Sequence, residues 1–363
     1  ETVSEIDKNG YFRRQPNHFT TPFGDGENDL KAEGNKRYRL VWAKLCHWSN
    51  RAAIVRELES LEDQISVNMV EHAPHEKNLG WEYVYNENNI DPVLGDQFLS
   101  EAYYRADDDY QGRTTVPALI DTATGKVVNN DYNWLTTYFE VNFRPWHKKG
   151  APELYPVELR EEIDKMNLWL FDNINNAVYR SSFSRSNEGH FDGVNTFYAA
   201  MDRLEKRLET NRFLFGDYVT DSDIRLYVTL ARLDIRYTAQ LGETKRPLYN
   251  YKNLWGYAKE LWEIPAFAHH TDFAAIIRQG RIEGEEDGFR ASTHYDLALP
   301  KIDWDAQWKV STERAYLSSD PTHPIYLGNN RRFDIDPTWY DLGAESPKKE
   351  EKETPPSCGC CCG

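Results

Sequence analysis

Residues 38–49 read YRLVWAKLCHWS, an apolar run that ends in a short polar turn around a single cysteine. Residues 38–43 have the length and the aromatic and aliphatic content of a buried strand. Residues 50–61 then carry apolar side chains at helical spacing, and residues 65–70 read as a second strand. The pattern places Cys46 at the junction between a buried strand and a helix.

The position of Cys46 suits a reactive thiol, because a helix N-terminus offers free N–H donors and a partial positive charge that favour the thiolate. His47, the next residue, could add positive charge. A buried and inert cysteine is the alternative, since free cysteines are common in cores, and position alone does not separate the two interpretations. Ser49 stands where a second thiol would complete an internal pair, so a redox cycle at Cys46 needs an external thiol.

The remainder of the N-terminal half follows an ordered pattern. Residues 72–112, rich in Asn, Asp and Gly, show no strong periodicity and read as a long insertion. Two further strands and a helix come after it, at residues 115–120, 126–128 and 131–143. The order β-α-β, insertion, β-β-α predicts a thioredoxin-like α/β domain at residues 36–145, preceded by a polar arm at residues 1–35.

Helical patterns dominate the C-terminal half. Four segments show apolar residues at helical spacing, at residues 156–176, 194–209, 221–241 and 254–262. The clearest start is Thr220 followed by Asp223, because a hydroxyl at the cap and a carboxylate three residues later satisfy two free N–H groups. These segments predict a helical domain at residues 150–280, an irregular extension at residues 281–340 and a disordered tail at residues 341–363.

Composition excludes several classes of protein. The 363-residue chain carries a net charge of −16, which argues against nucleic acid or an anionic membrane as its main partner. No stretch approaches the roughly 18 apolar residues of a membrane span, and residues 1–10 lack the apolar core of a signal peptide. Four of the five cysteines lie in the last six residues, without the spacing of a structural zinc site, so neither a disulfide framework nor a metal site is predicted. We therefore expect a reducing, cytoplasmic environment.

Two further signals concern ligand binding. Val116-Pro117 places a proline near the start of a strand, where it marks an edge or a special turn. In thioredoxin-like folds a cis-proline leaves the preceding backbone free to pair with a thiol substrate, whereas an ordinary edge proline is the alternative. Asp131 opens the predicted helix at residues 131–143, where it could hold the charged end of a ligand or simply cap the helix.

Several spaced motifs run through both halves of the chain. The N-terminal ones are CHWS at residues 46–49 with Arg51 and IVR at residues 54–56, GRTTVP at residues 112–117 and VNND at residues 128–131. The C-terminal ones are YP and NNAVY within residues 155–179, FG at residues 215–216, and DIRL, LD and Tyr237 within residues 223–237. Together, over about residues 38–262, they resemble the glutathionyl-hydroquinone reductases, the Xi class of glutathione transferases. The resemblance implies a thioredoxin-like α/β N-terminal domain joined to an all-α C-terminal domain.

In this family a cysteine attacks the sulfur of a glutathionyl-hydroquinone, releases the hydroquinone and is left in a mixed disulfide that a second glutathione reduces. The resemblance implies that Cys46 is this nucleophile and that glutathione is the cosubstrate. It assigns thiol binding to Trp81, Arg113, Val116, Pro117, Asp131 and Tyr132, and substrate binding to Trp48, Tyr179, Tyr237 and Tyr295. The phenol of Tyr179 could donate to the leaving oxygen, and helix packing is the alternative role for it. The family tends to dimerise, so a homodimer is left open.

The chain departs from the family at several positions. His47 and Ser49 stand where the family reads Pro and Ala, and Asp131-Tyr132 stands where it reads Glu-Ser. The basic, His-containing stretch after Tyr237 is missing, so another low-molecular-weight thiol stays an alternative to glutathione. A thiol transferase or a reductive dehalogenase is the second interpretation, and a non-catalytic ligand- or partner-binding protein of the same fold is the third. The expected partners are a small thiol and a quinone-type conjugate.

Overall fold

The computed structural model describes residues 4–72, 80–242, 246–277, 303–309, 314–318 and 325. Tyr295, the predicted tail and most of the predicted extension lie outside these residues. Within the described chain, a mixed sheet and its helices form the N-terminal half, and helices form the rest. This arrangement confirms the predicted combination of a thioredoxin-like part with an all-α part, while the limits of the two domains stay predictions.

The sheet is built around the first strand. The strands are β1 (Tyr38–Trp42), β2 (Ser66–Met69), β3 (Glu71–His72), β4 (Trp81–Glu82), β5 (Ala118–Asp121) and β6 (Lys126–Asn129). The order in the four-stranded sheet is β2-β1-β5-β6, with β1 parallel to β2 and antiparallel to β5. All residues of β1 are buried, which explains its nearly continuous apolar sequence.

The predicted insertion contains regular structure in its described part. Within it β3 pairs antiparallel with β4, and a helix, α2 (Leu99–Ala106), follows. Helix α2 was not predicted from the sequence. Its buried residues Leu99, Ala102 and Tyr103 have helical spacing, but this apolar face is short and is flanked by polar residues. A buried ion pair between Arg39 and Asp91, 2.9 Å apart, ties the insertion to β1. The insertion is therefore a packed part of the sheet domain.

The other helices are α1 (His47–Leu58), α3 (Leu135–Val141), α4 (Arg160–Leu170), α5 (Ala177–Phe183), α6 (Asn187–Thr210), α7 (Asp221–Arg232), α8 (Thr238–Leu241), α9 (Lys252–Trp262), α10 (Pro265–His269) and α11 (Trp304–Trp308). Every residue of α7 is buried, so this helix lies at the centre of the helical half. The predicted cap is present, because the Thr220 backbone N–H donates to the Asp223 carboxylate at 2.8 Å.

Two of the predicted helices are interrupted. The segments predicted at residues 156–176 and 221–241 each contain a wider helical turn, at Phe171–Asn175 and Leu233–Tyr237. Such a turn accommodates one extra residue, so the side chains that follow it are shifted by one position around the helix. The sequence pattern located both helices but did not reveal this one-residue shift.

A buried polar network joins α3 to α7. The Asp221 carboxylate accepts from Thr136 Oγ1 at 2.9 Å and from Arg225 Nε at 2.6 Å. Burial works to raise the pKa of Asp221, but the neighbouring Arg225 outweighs it and that pKa falls to about 2. Burial and the negative charge of Asp221 raise the pKa of the fully buried Glu140 well above its ordinary value. One ionised and one neutral carboxyl therefore lie side by side between the two halves.

The N-terminal arm, residues 4–35, contacts both halves of the molecule. The Phe12 backbone N–H donates to Ser184 Oγ at 3.0 Å in the helical half. The Phe19 backbone N–H donates to Asn130 Oδ1 at 3.1 Å beside the sheet. The arm thereby crosses from one half to the other near the start of α1. Among the helices that the structure describes, none has the length and apolar character needed to cross a membrane.

Candidate active site around Cys46

Cys46 occupies the N-cap position of α1, as its place in the sequence predicts. Its carbonyl accepts the Asn50 N–H at 3.0 Å, which closes the first turn, while its side chain makes no capping bond. The thiol is nearly buried, with 9% of the residue exposed, and Sγ lies 3.9 Å from the Val116 carbonyl oxygen. The Val116–Pro117 peptide bond is cis. The structure thus brings together Cys46 and Val116, two residues singled out independently in the sequence.

Ser49 fixes the turn that carries the thiol. Its hydroxyl oxygen accepts the Ala43 N–H at 3.0 Å and donates toward the Ala43 carbonyl at 3.2 Å. The side chain is fully buried, so these bonds hold the end of β1 and the start of α1 in one geometry. Ser49 therefore has a structural role at the position where a dithiol protein would carry its second cysteine.

Arg232, at the end of α7, reaches the same turn from the helical half. Its fully buried guanidinium donates to the Lys44 and Leu45 carbonyls at 2.8 and 2.6 Å. It also donates to Asn50 Oδ1 at 3.1 Å and to the Val228 carbonyl at 2.8 Å. All these acceptors are neutral, and the positive charge acts on the neighbouring Cys46. Arg232 therefore places a buried guanidinium against the turn that carries Cys46.

His47 does not supply the positive charge that the sequence suggested. Its ring is fully buried, and Nδ1 lies 2.9 Å from Thr229 Oγ1 on α7. Burial, and after it the positive charges of Arg232 and Arg14, lowers the pKa of His47 well below its ordinary value. The imidazole is therefore neutral, and the earlier expectation about His47 is wrong.

Five aromatic rings, which we call the aromatic cluster, pack together around Trp48, two residues after Cys46: Trp48, Tyr132, Phe171, Tyr179 and Tyr237. Trp48 contacts the rings of Tyr132 and Phe171 at centroid distances of 4.7 and 5.5 Å. The hydroxyl groups of Tyr179 and Tyr237 are 3.1 Å apart. Burial and the neighbouring Tyr179 raise the pKa of Tyr237 well above its ordinary value, so its phenol stays protonated.

The cluster unites three of the predicted substrate residues, Trp48, Tyr179 and Tyr237. Tyr132, assigned to the thiol, stacks on Phe171 within it, with the two ring planes 13° apart.

The predicted thiol-binding residues already have partners. Arg113 forms an ion pair with Glu5 of the arm, with nitrogen–oxygen distances of 2.8 and 3.0 Å. The Asp131 carboxylate accepts from Asn17 of the arm and from the Asn133 N–H, each at 3.1 Å. Burial raises the pKa of Asp131. Trp81 lies in β4, edge-on to His72 at 5.5 Å. The N-terminal arm thus occupies groups that the resemblance assigned to the thiol.

Three buried or half-buried arginines near the site were given no role from the sequence. Besides Arg232, they are Arg51, whose guanidinium donates to the Tyr132 carbonyl, and Arg14 of the arm. Burial lowers the pKa of Arg51 to about 9. Their partners are distant in the sequence, so no local spacing could have linked Arg14 or Arg232 to Cys46.

Comparisons with known proteins agree with this architecture. A family described as "Glutathione S-transferase, C-terminal domain" matches residues 177–260. The chain is 33% identical to "Glutathione S-transferase omega-like 2" of Schizosaccharomyces pombe over 280 residues, covering 74% of this chain and 88% of that protein. It is 32% identical to "Glutathionyl-hydroquinone reductase YqjG" of Escherichia coli over 240 residues, covering 66% and 73% of the two chains. The glutathione-bound structure of YqjG superposes with a TM-score of 0.66 at 30% identity, covering 73% of this chain and 89% of that one.

Proposed function

This chain belongs to the glutathione transferases, in the group that includes the glutathionyl-hydroquinone reductases, and we propose that it removes glutathione from glutathionyl-hydroquinone-like thioether conjugates. It is an enzyme that uses glutathione as cosubstrate. The observation that carries the specific reaction is the placement of the Cys46 thiol at the start of α1, 3.9 Å from the Val116 carbonyl oxygen and two residues before Trp48 of the aromatic cluster. The rings of the cluster offer an apolar surface to a quinone-type ring.

The first half-reaction is an attack of the Cys46 thiolate on the sulfur of the conjugate. A new S–S bond joins Cys46 to glutathione, and the bond between that sulfur and the ring carbon breaks. If the ring enters as its keto tautomer, the electron pair restores aromaticity and comes to rest on the oxygen as a phenolate. Protonation of that oxygen gives the hydroquinone, and the Tyr179–Tyr237 hydroxyl pair, 3.1 Å apart, offers a proton donor.

The second half-reaction needs another glutathione. Its thiolate attacks the glutathione sulfur of the mixed disulfide, oxidised glutathione leaves, and the Cys46 thiolate returns. The two glutathionyl sulfurs are oxidised and the ring carbon is reduced, so the cycle balances without a further oxidant. Ser49 cannot replace the second glutathione, because its side chain is an alcohol held by Ala43.

Thiol binding at this site rests on the family resemblance and on the charges present. Arg113 would hold a carboxylate of glutathione, the Val116 backbone its cysteine, and Asp131 its amino group, with Trp81 and Pro117 beside them. Since Glu5 and Asn17 already contact Arg113 and Asp131, glutathione must displace or share these contacts.

The test is the intact mass of the protein after incubation with a glutathionyl-hydroquinone. We expect wild type to gain one glutathionyl group and to lose it again when free glutathione is added. Cys46→Ser should gain none, while Cys358→Ser, which removes a cysteine of the tail, should behave as wild type. An adduct on Cys46→Ser would reject Cys46 as the nucleophile. An unmodified wild type with intact conjugate would reject the reaction, and a screen of other thiols would then follow.

A further inference from the structure

Arg14, on the N-terminal arm, lies against the aromatic cluster. Its guanidinium carbon is 4.6 Å from the centre of the Trp48 ring and 4.8 Å from that of Tyr179. Its Nε donates to Asn176 Oδ1 at 2.8 Å, which fixes the side chain in this position. A planar cation stacked on two rings is held by the negative faces of those rings. The arm therefore places a positive charge on two of the residues predicted to bind the substrate.

The guanidinium of Arg14 is incompletely satisfied. Its Nη2 is buried and has no hydrogen-bond partner in the part of the chain that the structure describes. Burial lowers the pKa of Arg14, and the nearby phenols of Tyr132 and Tyr179 work in the opposite direction. A buried donor without an acceptor costs free energy, so its persistence at a binding site points to an acceptor brought by a ligand.

The adjacent arginine shows the contrast. Arg13 is largely exposed and forms an ion pair with Asp7 at 2.9 Å on the surface of the arm. Its guanidinium carbon lies 5.0 Å from the centre of the Tyr11 ring, and within the described residues it makes no contact with the aromatic cluster. Of these two neighbouring arginines, only Arg14 reaches the aromatic cluster.

We propose that Arg14 is a substrate-site residue whose free Nη2 receives the phenolic oxygen of the departing hydroquinone. The inference rests on the proposed function, because it is the breaking of the bond between sulfur and the ring that puts negative charge on that oxygen. Arg14 stabilises the phenolate as it forms, before a proton from the Tyr179–Tyr237 pair neutralises it. A fixed donor aimed at developing charge is the type of interaction that accelerates the chemical step.

The experiment separates the two half-reactions in wild type, Arg14→Gln, Arg14→Lys and the matched control Arg13→Gln. The first rate is that of adduct formation from a glutathionyl-hydroquinone in a single turnover, followed by mass. We expect Arg14→Gln to slow it by roughly 100-fold or more, Arg14→Lys by less, and Arg13→Gln by no more than about twofold. The second rate is the reduction by glutathione of a mixed disulfide prepared with oxidised glutathione, which involves no phenol. This second rate should be the same in all four proteins to within about twofold.

The first rate is also measured with conjugates of a series of ring-substituted hydroquinones. A purely structural role of Arg14 would not change how this rate depends on the hydroquinone. Without the Arg14 cation, the first rate should depend more steeply on the acidity of the leaving phenol than it does in wild type. Equal slopes in wild type and Arg14→Gln, or equal losses in both half-reactions, would overturn the assignment of Arg14 while leaving the proposed function intact. A wild type that forms no adduct would overturn both.

Discussion

Two of the three arginines near the site, Arg14 and Arg232, differ in what their guanidinium groups bind. Arg232 comes from α7 and donates only to groups of the protein itself, the Lys44 and Leu45 carbonyls among them. Arg14 comes from the arm, keeps one buried nitrogen without a partner and stacks on Trp48. We call these the α7 side and the arm side of the site. Every nitrogen of the Arg232 guanidinium has a partner within the protein, whereas Arg14 Nη2 has none among the described residues.

The surroundings of the two sides show the same difference. On the α7 side, His47, Thr229 and Arg232 are all buried to within 1% of their surface. On the arm side, the ion pair between Arg113 and Glu5 leaves 46% of the Arg113 side chain exposed. Buried contacts fix the position of the thiol, whereas partial and exposed ones can be exchanged for a ligand. The comparison assigns positioning to α7 and ligand recognition to the arm.

The largest expected effect tests whether Arg232 holds the turn that carries Cys46. Arg232→Met should lower the free energy of unfolding by about 3 kcal/mol or more, because each buried carbonyl left without a donor costs roughly 1–3 kcal/mol. Urea unfolding measures the change. Arg203→Met, at an exposed position of α6, should change stability by about 0.5 kcal/mol or less. If both variants unfolded at the wild-type midpoint, the α7 side would not be what holds the turn at Cys46.

The second-largest effect is the pH dependence of stability that Glu140 causes at the contact between α3 and α7. The pKa of Glu140 is raised in the folded protein, so the folded state retains a proton that the unfolded chain releases above about pH 4.5. Stability contributed by this group is present at low pH and is lost as pH rises toward the folded pKa. Glu140→Gln should remove this loss, which amounts to at most about 1.4 kcal/mol per pH unit.

Urea unfolding at several pH values between 5 and 8 measures this loss of stability, with a substitution at an exposed position, Glu162→Gln, as control. Asp221, whose pKa falls to about 2, contributes stability that is lost only in stronger acid, so it does not disturb this range. Parallel pH profiles for wild type and Glu140→Gln would mean that Glu140 is ionised in the folded protein.

The smallest expected effect tests whether the arm competes with glutathione for Arg113. Glu5→Gln should free Arg113 for a carboxylate of the cosubstrate and lower the KM for glutathione. A partly exposed ion pair is worth about 1 kcal/mol or less, which corresponds to at most roughly fivefold in affinity. Steady-state kinetics with varied glutathione measures it. Asp7→Asn, which breaks the neighbouring ion pair with Arg13, should leave KM unchanged. A higher KM in Glu5→Gln would show instead that Glu5 helps to bind the thiol.

The sequence predicted the parts of the molecule whose causes are local. β1 is buried throughout, so its apolar run was visible, and Cys46 follows it at the start of α1. The Thr220 cap depends on a residue three positions away and was equally visible. The aromatic cluster was predicted in part, since Trp48, Tyr179 and Tyr237 belong to motifs of a known family.

The rest depends on contacts that are distant in the sequence. The charge state of His47 follows from its burial against Thr229 on α7, which nothing near His47 indicates. The roles of Arg14 and Glu5 follow from the path of the arm across both halves. The wide turn at Leu233–Tyr237 adds a single residue to a helix, and a periodicity argument does not resolve so small an interruption. Tyr295 lies outside the described residues, and its assignment stays a prediction.

The hydroxyl of Ser49, held in place by Ala43, has a consequence for how long the protein stays modified. A second thiol there would clear the mixed disulfide within the same molecule, at a rate independent of the surroundings. With an alcohol in its place, the proposed intermediate persists until a thiol arrives by diffusion, so its lifetime varies inversely with the concentration of reduced glutathione. In a cell short of glutathione, the capped form would accumulate, shielding Cys46 from further oxidation until the supply recovers.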